Sequence, residues 1–386
     1  MKRVFLIVLD SFGIGTAPDS ADFGDAGADT LGSIRRSAKF SAENMKKLGL
    51  FNIDGIKGGI EAPAGAYARM TERSRGKDTI IGHWEMCGVI SEQPLPTFPD
   101  GFPEELLEKL SAAWGRGILC NKPYSGTQVI ADYGREHIGT GKLIVYTSAD
   151  SVLQIAAHES VVPIEELYRD CEIAREICRG KYGVGRIIAR PFEGEYPYKR
   201  TSRRHDFALE PPHKTTLDLL KDAGLDVIAV GKINDIFAGQ GVTDAIKTTG
   251  NADGMEKTMA LLDRDFHGFA FVNLVDFDMV YGHRRDIDGY AAATAAFDAW
   301  LGGFRAKMRP DDLLLITGDH GCDPGFTGTD HTREYTPLLA AGGAVRPGNL
   351  GTRTSFADIG ATVADIFGVP NPNAGESMKE VLLDEH

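Results

Sequence analysis

Short, unbroken apolar runs constrain the fold of this chain more than any other feature of its sequence. Runs of four to seven apolar residues without polar alternation are typical of strands that are buried on both faces, as in a parallel sheet. Six such runs occur along the chain: Val4–Leu9, Leu143–Tyr146, Val227–Val230, Phe269–Val275, Leu313–Ile316 and Leu338–Ala341.

Segments with a helical spacing of apolar residues separate these runs. They are Glu104–Ala113, Ile164–Cys178, Thr215–Ala223, Met255–Leu262, Tyr290–Met308 and Phe356–Phe367. Alternation of strands and helices predicts an α/β fold, with a largely parallel sheet flanked by helices.

The segment from about Ser91 to Pro212 differs in composition from the rest of the chain. It is rich in Gly, Pro and aromatic residues, and proline clusters open it in PLPTFPDGFP and close it in ALEPPH. Such clusters interrupt helices and central strands, which suits linkers between domains. We therefore predict a discontinuous core formed by residues 1–91 and 213–386, with a smaller inserted α/β cap domain at residues 92–212.

Charge and cysteine content limit the partners and the compartment. The net charge of −13 opposes binding to nucleic acids and to anionic membranes, and it would oppose a phosphorylated metabolite unless metal ions and basic residues reverse the field locally.

The apolar run Val4–Leu9 is too short for a signal peptide or a membrane span. The chain has five cysteines, an odd number, and no C-x-x-C pair, so we expect no disulfide framework. This suits a reducing compartment, and we predict the cytoplasm. No obligatory protein partner is evident.

Acidic and imidazole side chains follow three of the predicted strands. Ligands of open parallel sheets bind beyond the carboxyl ends of the strands, so these side chains mark the candidate site. They are Asp10 after the first run, Asp276, Asp278 and His283 after Phe269–Val275, and Asp319, His320 and His331 after Leu313–Ile316.

This combination of carboxylates and imidazoles suits Mn²⁺, Zn²⁺ or Fe, whereas Mg²⁺ and Ca²⁺ prefer oxygen ligands alone. Six or more ligands are too many for one catalytic ion, and they suit a pair of ions that clamps the attacking and leaving oxygens of a phosphoryl transfer. Any one of these aspartates could instead be a helix cap or a turn residue, and a lone histidine could be a core or surface residue.

A candidate nucleophile lies in GKDTIIGHWEMCG, from Gly76 to Gly88. Thr79 stands there in a glycine-bounded loop before a helix-like stretch. A threonine hydroxyl is a weak nucleophile, but metal coordination can activate it. Taken alone, Thr79 could simply cap the helix.

Several motifs of this chain resemble those of the phosphopentomutases of the alkaline phosphatase superfamily. They are LDSFGIG, GKDTIIGHWE, YTSADSVLQIAAHE, NLVDFDMVYGHRRD, ITGDHGCDP and TGTDHTREYTPLL. The resemblance extends from Met1 to about Val369. The metal-ligand blocks indicate only the superfamily. The family within it, the phosphopentomutases, is indicated by the strings GKDT, GHWE and TSADSVLQ.

The resemblance implies two divalent metal ions, usually manganese, and a phosphorylated Thr79. It places one metal ion on Asp10, Asp319, His320 and Thr79, and the other on Asp278, His283 and His331. It also implies that Ser148 and Asp150 meet the sugar hydroxyls, and that Arg186, Arg200 and Lys232 hold the phosphate that is not transferred. Without the resemblance, the basic string RTSRRHD around Arg200 would be read as a solvated loop.

The expected reaction is interconversion of a ribose or 2-deoxyribose 1-phosphate with the 5-phosphate, through a sugar bisphosphate that also serves as the primer. Two other function classes stay open at this point. A phosphatase or phosphodiesterase on the same core would pass the phosphoryl group to water, and a metal-dependent binding protein would show no turnover.

Overall fold

The computed structural model describes residues 1–148 and 150–384. The chain divides into two compact units, which we call the core unit and the inserted unit. The core unit consists of Met1–Pro94 and Pro211–His386, and the inserted unit of Leu95–Glu210. The roles of these units, a metal-binding catalytic core and a cap that contacts the sugar, remain predictions.

The strands, in chain order, are β1 (Arg3–Leu9), β2 (Ala66–Met70), β3 (Ile118–Pro123), β4 (Leu143–Thr147), β5 (Val152–His158), β6 (Arg186–Glu193), β7 (Lys199–Arg200), β8 (His205–Ala208), β9 (Asp226–Val230), β10 (Asp244–Ile246), β11 (Gly268–Leu274), β12 (Asp312–Thr317), β13 (Thr336–Gly342) and β14 (Gly348–Arg353).

The α-helices are α1 (Thr30–Ile34), α2 (Glu43–Leu48), α3 (Thr79–Met86), α4 (Glu104–Trp114), α5 (Gly126–Thr140), α6 (Ile164–Ile177), α7 (Thr216–Asp222), α8 (Ile233–Ile236), α9 (Asn251–Ala260), α10 (Ile287–Lys307), α11 (Ala357–Ile366) and α12 (Lys379–Leu382). Short 3₁₀ turns lie at Ser20–Phe23, Leu50–Asn52, Gly180–Tyr182 and Leu261–Asp263, and one π-helix lies at Phe277–Gly282.

The core unit contains one eight-stranded sheet, in the order β10-β9-β11-β1-β12-β13-β2-β14. The first five strands of this order are mutually parallel, whereas β13 is antiparallel to both β12 and β2. Every residue of β1, β11 and β12 is buried, which explains why these strands consist mainly of apolar residues. The predicted α/β fold with a largely parallel sheet is confirmed.

The topology of this sheet brings the predicted ligands to one edge. Strand β1 lies between β11 and β12, with Leu9 opposite Leu274 and Val8 opposite Thr317. Because the three strands are parallel and in register, the residues that follow them emerge side by side at their carboxyl ends.

The inserted unit has its own sheet, in the order β3-β4-β5-β6-β7, with β8 paired to β6. Successive side chains of β4 point to opposite faces. Leu143 and Val145 pack in a cluster with residues of α4 and α6, and Ile144 and Tyr146 pack in another with residues of α5. None of the helices in the described part of the chain combines the length and apolar character needed to cross a membrane.

Candidate active site

Three buried side chains lie together where β1 and β12 end. Asp10 follows β1, and Asp319 and His320 follow β12; each is at most 1% exposed. The His320 Nε2 atom lies 3.5 Å from Asp10 Oδ1 and 3.4 Å from Asp319 Oδ2. One ligand atom from each residue lies within 4.8 Å of the other two, a spacing that could hold a metal ion.

A second group of ligands surrounds Asp278, which lies in the π-helix after β11. Single π-turns of this kind are frequent at functional sites. Asp278 Oδ2 lies 3.2 Å from His283 Nε2, and Asp278 Oδ1 lies 3.3 Å from His331 Nε2. The two histidine Nε2 atoms are 3.0 Å apart. His320 and Cys322 also fall within ligand spacing of Asp278, so the two groups adjoin each other.

Backbone carbonyls orient two of the imidazoles toward these groups. His283 Nδ1 lies 2.6 Å from the carbonyl oxygen of Thr329, and His320 Nδ1 lies 2.9 Å from that of Gly321. A carbonyl can only accept, so each Nδ1 carries a proton and donates it. When such a ring is neutral, its Nε2 lone pair is available to a metal ion, an arrangement common for ligating histidines.

Without a cation between them, the charges at this site perturb each other strongly. Burial, aided by the charge of Asp319, raises the pKa of Asp10 to about 6. Burial also disfavours the charged form of Asp278, but His331 and His283 outweigh it and hold the pKa of Asp278 well below its usual value. The hydrogen bond to Asp278 raises the pKa of His283 to about 9. A cluster of this composition favours a bound cation.

Two buried carboxylate oxygens of the site accept no hydrogen bond from the described residues. They are Asp278 Oδ1 and Asp319 Oδ2, one in each ligand group. A buried charged oxygen without a donor is costly unless it coordinates a cation. The residues present therefore fit a divalent metal site.

Thr79 points to the first ligand group from the start of α3. Its Oγ1 lies 3.2 Å from His320 Nε2 and 3.4 Å from Asp10 Oδ1. The N-cap of α3 is the preceding Asp78, whose side chain accepts from the backbone N–H groups of Ile80 and Ile81. The capping role is thus filled by Asp78, which leaves the Thr79 hydroxyl facing the ligands.

Two buried polar residues behind the ligands were not identified from the sequence. The His83 Nδ1 atom lies 2.8 Å from the Thr79 carbonyl oxygen and 3.2 Å from Asp319 Oδ2. Asn273 Nδ2 donates to Asp10 Oδ2 at 2.8 Å and lies 3.4 Å from His83 Nε2. His83 and Asn273 thus connect both aspartates of the first group with the backbone of Thr79. A polar residue inside the apolar run of β11, and a histidine four positions after Thr79, were the available signals.

Arg333 was also missed, and it holds the loop before Thr79. It is 1% exposed, and its guanidinium donates to the carbonyl oxygens of Ser74 and Gly76 at 2.8 and 2.6 Å and to the Glu72 carboxylate at 2.6 Å. Because Arg333 lies two residues after His331, it joins the nucleophile loop to the segment that carries that ligand.

The predicted substrate-binding residues are divided between the two units. Ser148, Asp150, Arg186 and Arg200 belong to the inserted unit, and Lys232 follows β9 in the core unit. Arg186 lies near two carboxylates, 3.7 Å from that of Asp150. Arg186 and Arg200 lie at opposite ends of β6, since Arg186 begins this strand and Arg200 pairs with Phe192 near its end.

Comparison with known proteins extends the evidence from the site to the whole chain. The Metalloenzyme superfamily model matches residues 2–371. A phosphopentomutase of Lachnoclostridium phytofermentans is 60% identical over 99% of this chain and 100% of its own length. A phosphopentomutase of Clostridium novyi is 53% identical over the same shares.

One solved structure supports the fold alone. A protein of Pyrococcus horikoshii, 16% identical in sequence, superposes with a TM-score of 0.53 and covers 97% of this chain and 99% of its own. The identities of 60% and 53% over the full length are far higher and show the family. The chain is therefore an enzyme, a mutase that belongs to the phosphopentomutase family within the Metalloenzyme superfamily.

Proposed function

We propose that this enzyme interconverts the 1-phosphate and the 5-phosphate of ribose or 2-deoxyribose through a phosphorylated Thr79. The observation that carries the proposal is the position of the Thr79 hydroxyl, 3.2 Å from His320 Nε2 and 3.4 Å from Asp10 Oδ1, with Asp78 in the capping role. The names of the full-length relatives support the same reaction.

Two divalent metal ions, Mn²⁺ by resemblance, would be held by the two ligand groups. Asp10, Asp319, His320 and Thr79 would hold one ion, and Asp278, His283 and His331 the other. When bound, such a pair neutralises the charge of the transferring phosphoryl group and lowers the pKa of a coordinated hydroxyl. The buried oxygens Asp278 Oδ1 and Asp319 Oδ2, which accept no hydrogen bond from the described residues, support this assignment.

The chain's own residues would bind the sugar phosphate and carry the phosphoryl group. Phosphorylated Thr79 gives its group to the free sugar hydroxyl, so that the Thr79 Oγ1–P bond breaks and a bisphosphate forms. Thr79 Oγ1 then takes the other phosphoryl group, and the isomeric monophosphate leaves. A sugar bisphosphate would prime an unphosphorylated enzyme.

The remaining assignments rest on the resemblance. Ser148 and Asp150 would contact the sugar, and Arg186, Arg200 and Lys232 the phosphate that is not transferred. The cytoplasm stays the predicted compartment.

Labelling of Thr79 tests the proposal. Incubation of the metal-loaded enzyme with a sugar bisphosphate that carries a labelled phosphate should leave label on the peptide containing Thr79. Thr79→Val keeps the shape of the side chain but removes its hydroxyl, so labelling and mutase turnover should both be lost. Thr79→Ser, the matched control, keeps the oxygen and should retain part of both.

Two results would contradict this mechanism. Mutase turnover that survives in Thr79→Val, or label on another residue, would remove Thr79 from the reaction. Labelling of Thr79 followed by rapid release of inorganic phosphate, even with pentose phosphate present, would indicate a hydrolase instead.

A further inference from the structure

Two buried charged residues, Arg333 and Glu334, follow the candidate ligand His331 in the chain. Each of the two is 1% exposed. Thr332 and Glu334 form isolated β-bridges to other segments, so this stretch is extended and the side chains of Arg333 and Glu334 point to opposite sides. Burial of a charged group is costly unless hydrogen bonds compensate it. The partners of these two side chains therefore show what each of them holds in place.

The carboxyl group of Glu334 joins three segments near the ligands. Its Oε2 atom accepts from the backbone N–H groups of Gly15 and Thr30, at 3.0 and 2.9 Å. Its Oε1 atom accepts from the hydroxyls of Thr30 and Thr332, both at 2.7 Å. Gly15 lies in the loop after β1, and Thr332 is the neighbour of His331. Both carboxyl oxygens are thus occupied by donors that belong to the segments around the site.

Two glycines pack directly against the same carboxyl group. A Cβ atom at Gly13 would lie 2.3 Å from Glu334 Oε2, and one at Gly321 would lie 2.4 Å from Glu334 Oε1. A side chain at either position would therefore displace the carboxyl group. Gly13 is three residues after Asp10, and Gly321 directly follows His320. Glu334 is thus packed between two segments that carry ligands of the first group, and it is bonded to the neighbour of a ligand of the second.

The guanidinium of Arg333 has a different set of partners. Besides the carbonyl oxygens of Ser74 and Gly76, it donates to both carboxylate oxygens of Asp19, at 3.0 and 2.8 Å. Asp19 lies in the chain after β1, and Ser74 and Gly76 belong to the loop before Thr79. The bonds of Arg333 therefore hold the nucleophile loop, whereas those of the next residue hold the ligand segments.

We propose that Arg333 and Glu334 are positioning residues with separate roles in the mutase reaction. Glu334 fixes the spacing of the metal ligands, and Arg333 fixes the loop of Thr79 relative to them. Phosphoryl transfer depends mainly on positioning and electrostatics, so small displacements of the reacting groups slow it strongly. The role of Arg333 rests on the proposed phosphorylation of Thr79, whereas the role of Glu334 rests on the metal site alone.

Arg333→Lys tests the first role, because lysine keeps the charge but cannot reach all the partners of the guanidinium. The kcat of the metal-loaded mutase and the rate of Thr79 labelling should fall about tenfold to 100-fold. The KM for ribose 5-phosphate and the affinity for Mn²⁺ should stay unchanged. Asp19→Ala removes a partner that is 40% exposed, which makes misfolding a lesser risk, and it should lower kcat in the same direction.

Arg3→Lys is the matched control for Arg333→Lys. Arg3 is 0% exposed, and its guanidinium also joins a carboxylate, that of Asp312, to backbone carbonyl oxygens. It stands at the start of β1, however, whereas Asp10 follows the end of this strand. Urea unfolding measures the stability lost by each variant. Arg3→Lys should lose stability and keep its kcat.

Glu334→Asp and Glu334→Gln test the second role by calorimetric titration of the metal-free enzyme with Mn²⁺. Glu334→Asp keeps the charge but shortens the side chain, so Mn²⁺ should bind about 10–100-fold more weakly. Glu334→Gln keeps the length. Its amide oxygen can accept both N–H groups and its NH₂ group can donate to both hydroxyls, so Mn²⁺ affinity should be preserved.

Asp298→Asn is the control for the two Glu334 variants. Asp298 is 3% exposed, and its carboxylate accepts from the backbone N–H groups of Asn44 and Met45 in α2, which carries no candidate ligand. The amide cannot accept both N–H groups in this geometry, so Asp298→Asn should be less stable than the wild type. Its Mn²⁺ affinity should be unchanged.

Three results would overturn the proposal. Wild-type Mn²⁺ affinity in Glu334→Asp would remove the positioning role of Glu334, and equal losses in Glu334→Asp and Glu334→Gln would assign its effect to charge. Wild-type kcat in Arg333→Lys, or a loss of kcat that Arg3→Lys shares at equal loss of stability, would remove the role of Arg333. Absence of label from Thr79 in the wild type would instead contradict the proposed mechanism and leave the test of Glu334 valid.

Discussion

At the scale of single residues, Asp78 caps α3 and Thr79 faces the candidate ligands, although either side chain could have capped the helix. Threonine and aspartate are both good N-cap residues, so the sequence alone left open whether Thr79 caps the helix. In the structure the side chain of Asp78 accepts hydrogen bonds from two backbone N–H groups of the first turn, those of Ile80 and Ile81. The hydroxyl of the next residue is then directed to His320 and Asp10.

The His83–Asn273 pair gives a prediction about metal affinity. A carbonyl can only accept, so His83 donates its Nδ1 proton to Thr79, and its Nε2 can accept from Asn273. Partners behind the ligands orient them and commonly contribute about 10–100-fold in metal affinity. Asn273→Leu and His83→Phe should therefore weaken Mn²⁺ binding by about that factor, measured by titration of the metal-free enzyme.

A buried residue of the same helix supplies the control for this prediction. Trp84 of α3 donates its ring N–H to the Ile236 carbonyl at 3.0 Å, and among the described residues this hydrogen bond does not involve a candidate metal ligand. Trp84→Phe should lower the free energy of unfolding by about 1 kcal/mol and leave Mn²⁺ affinity unchanged. Equal losses of Mn²⁺ affinity in all three variants would show that His83 and Asn273 act only through general stability.

The candidate ligands could be predicted because residues of types that bind metal ions stand just after predicted strands. Asp10, Asp278 and Asp319 follow apolar runs, and strand ends meet at one edge of a parallel sheet. His83, Asn273 and Arg333 could not be assigned in this way. Their roles depend on hydrogen bonds between segments distant in the chain, which no local pattern records.

At the scale of secondary structure elements, burial decided which strands were predictable. The six predicted apolar runs coincide with strands, except that Val275 lies one residue beyond β11, and all six strands are buried apart from one terminal residue in β9 and one in β13. Strand β14 alternates between exposed and partly buried residues, and β6 contains two arginines and a proline, so neither has an unbroken apolar run. The run Leu338–Ala341 belongs to β13, which is antiparallel to β12, a direction that the composition of a strand does not specify.

Helix α6 gives a prediction about pH. Burial, aided by the charge of Glu166, raises the pKa of Asp170 from 3.8 to about 6. Asp170 is 3% exposed, and its Oδ2 accepts no hydrogen bond from the described residues. The folded state therefore holds this proton more tightly than the unfolded state, so Asp170 lowers stability as pH rises from about 4 to about 6, and the loss persists above that window.

Replacement of Asp170 by Asn removes the charge with little change of shape. At pH 7.5, Asp170→Asn should raise the free energy of unfolding by about 1–3 kcal/mol, and at pH 4.5 the gain should be much smaller. Urea unfolding of both proteins at the two pH values measures the difference. The same gain at both values would mean that the carboxyl is not protonated in the folded protein near pH 5.

At the scale of the whole molecule, every candidate metal ligand belongs to the core unit. A ligand that binds only the folded state stabilises it by mass action. Removal of metal ions with EDTA should therefore speed amide hydrogen exchange in β1, β11 and β12, while β4, β5 and β6 of the inserted unit exchange as before. Hydrogen exchange with mass spectrometry reports both units in one sample. Equal acceleration in both units would contradict the assignment of the metal ions to the core.

The position of β1 between β11 and β12 has a consequence for synthesis on the ribosome. Strand β1 emerges from the ribosome long before β11 and β12, its two neighbours in the sheet, have been translated. Until then both edges of a strand that is apolar from Val4 to Leu9 lack partners, a state that favours aggregation and chaperone binding. The inserted unit, by contrast, is one continuous stretch of chain and can complete its sheet while the ribosome is still at work. Assembly of the proposed nucleophile Thr79 with its candidate ligands must therefore wait until His331, which follows it much later in the chain, has been translated.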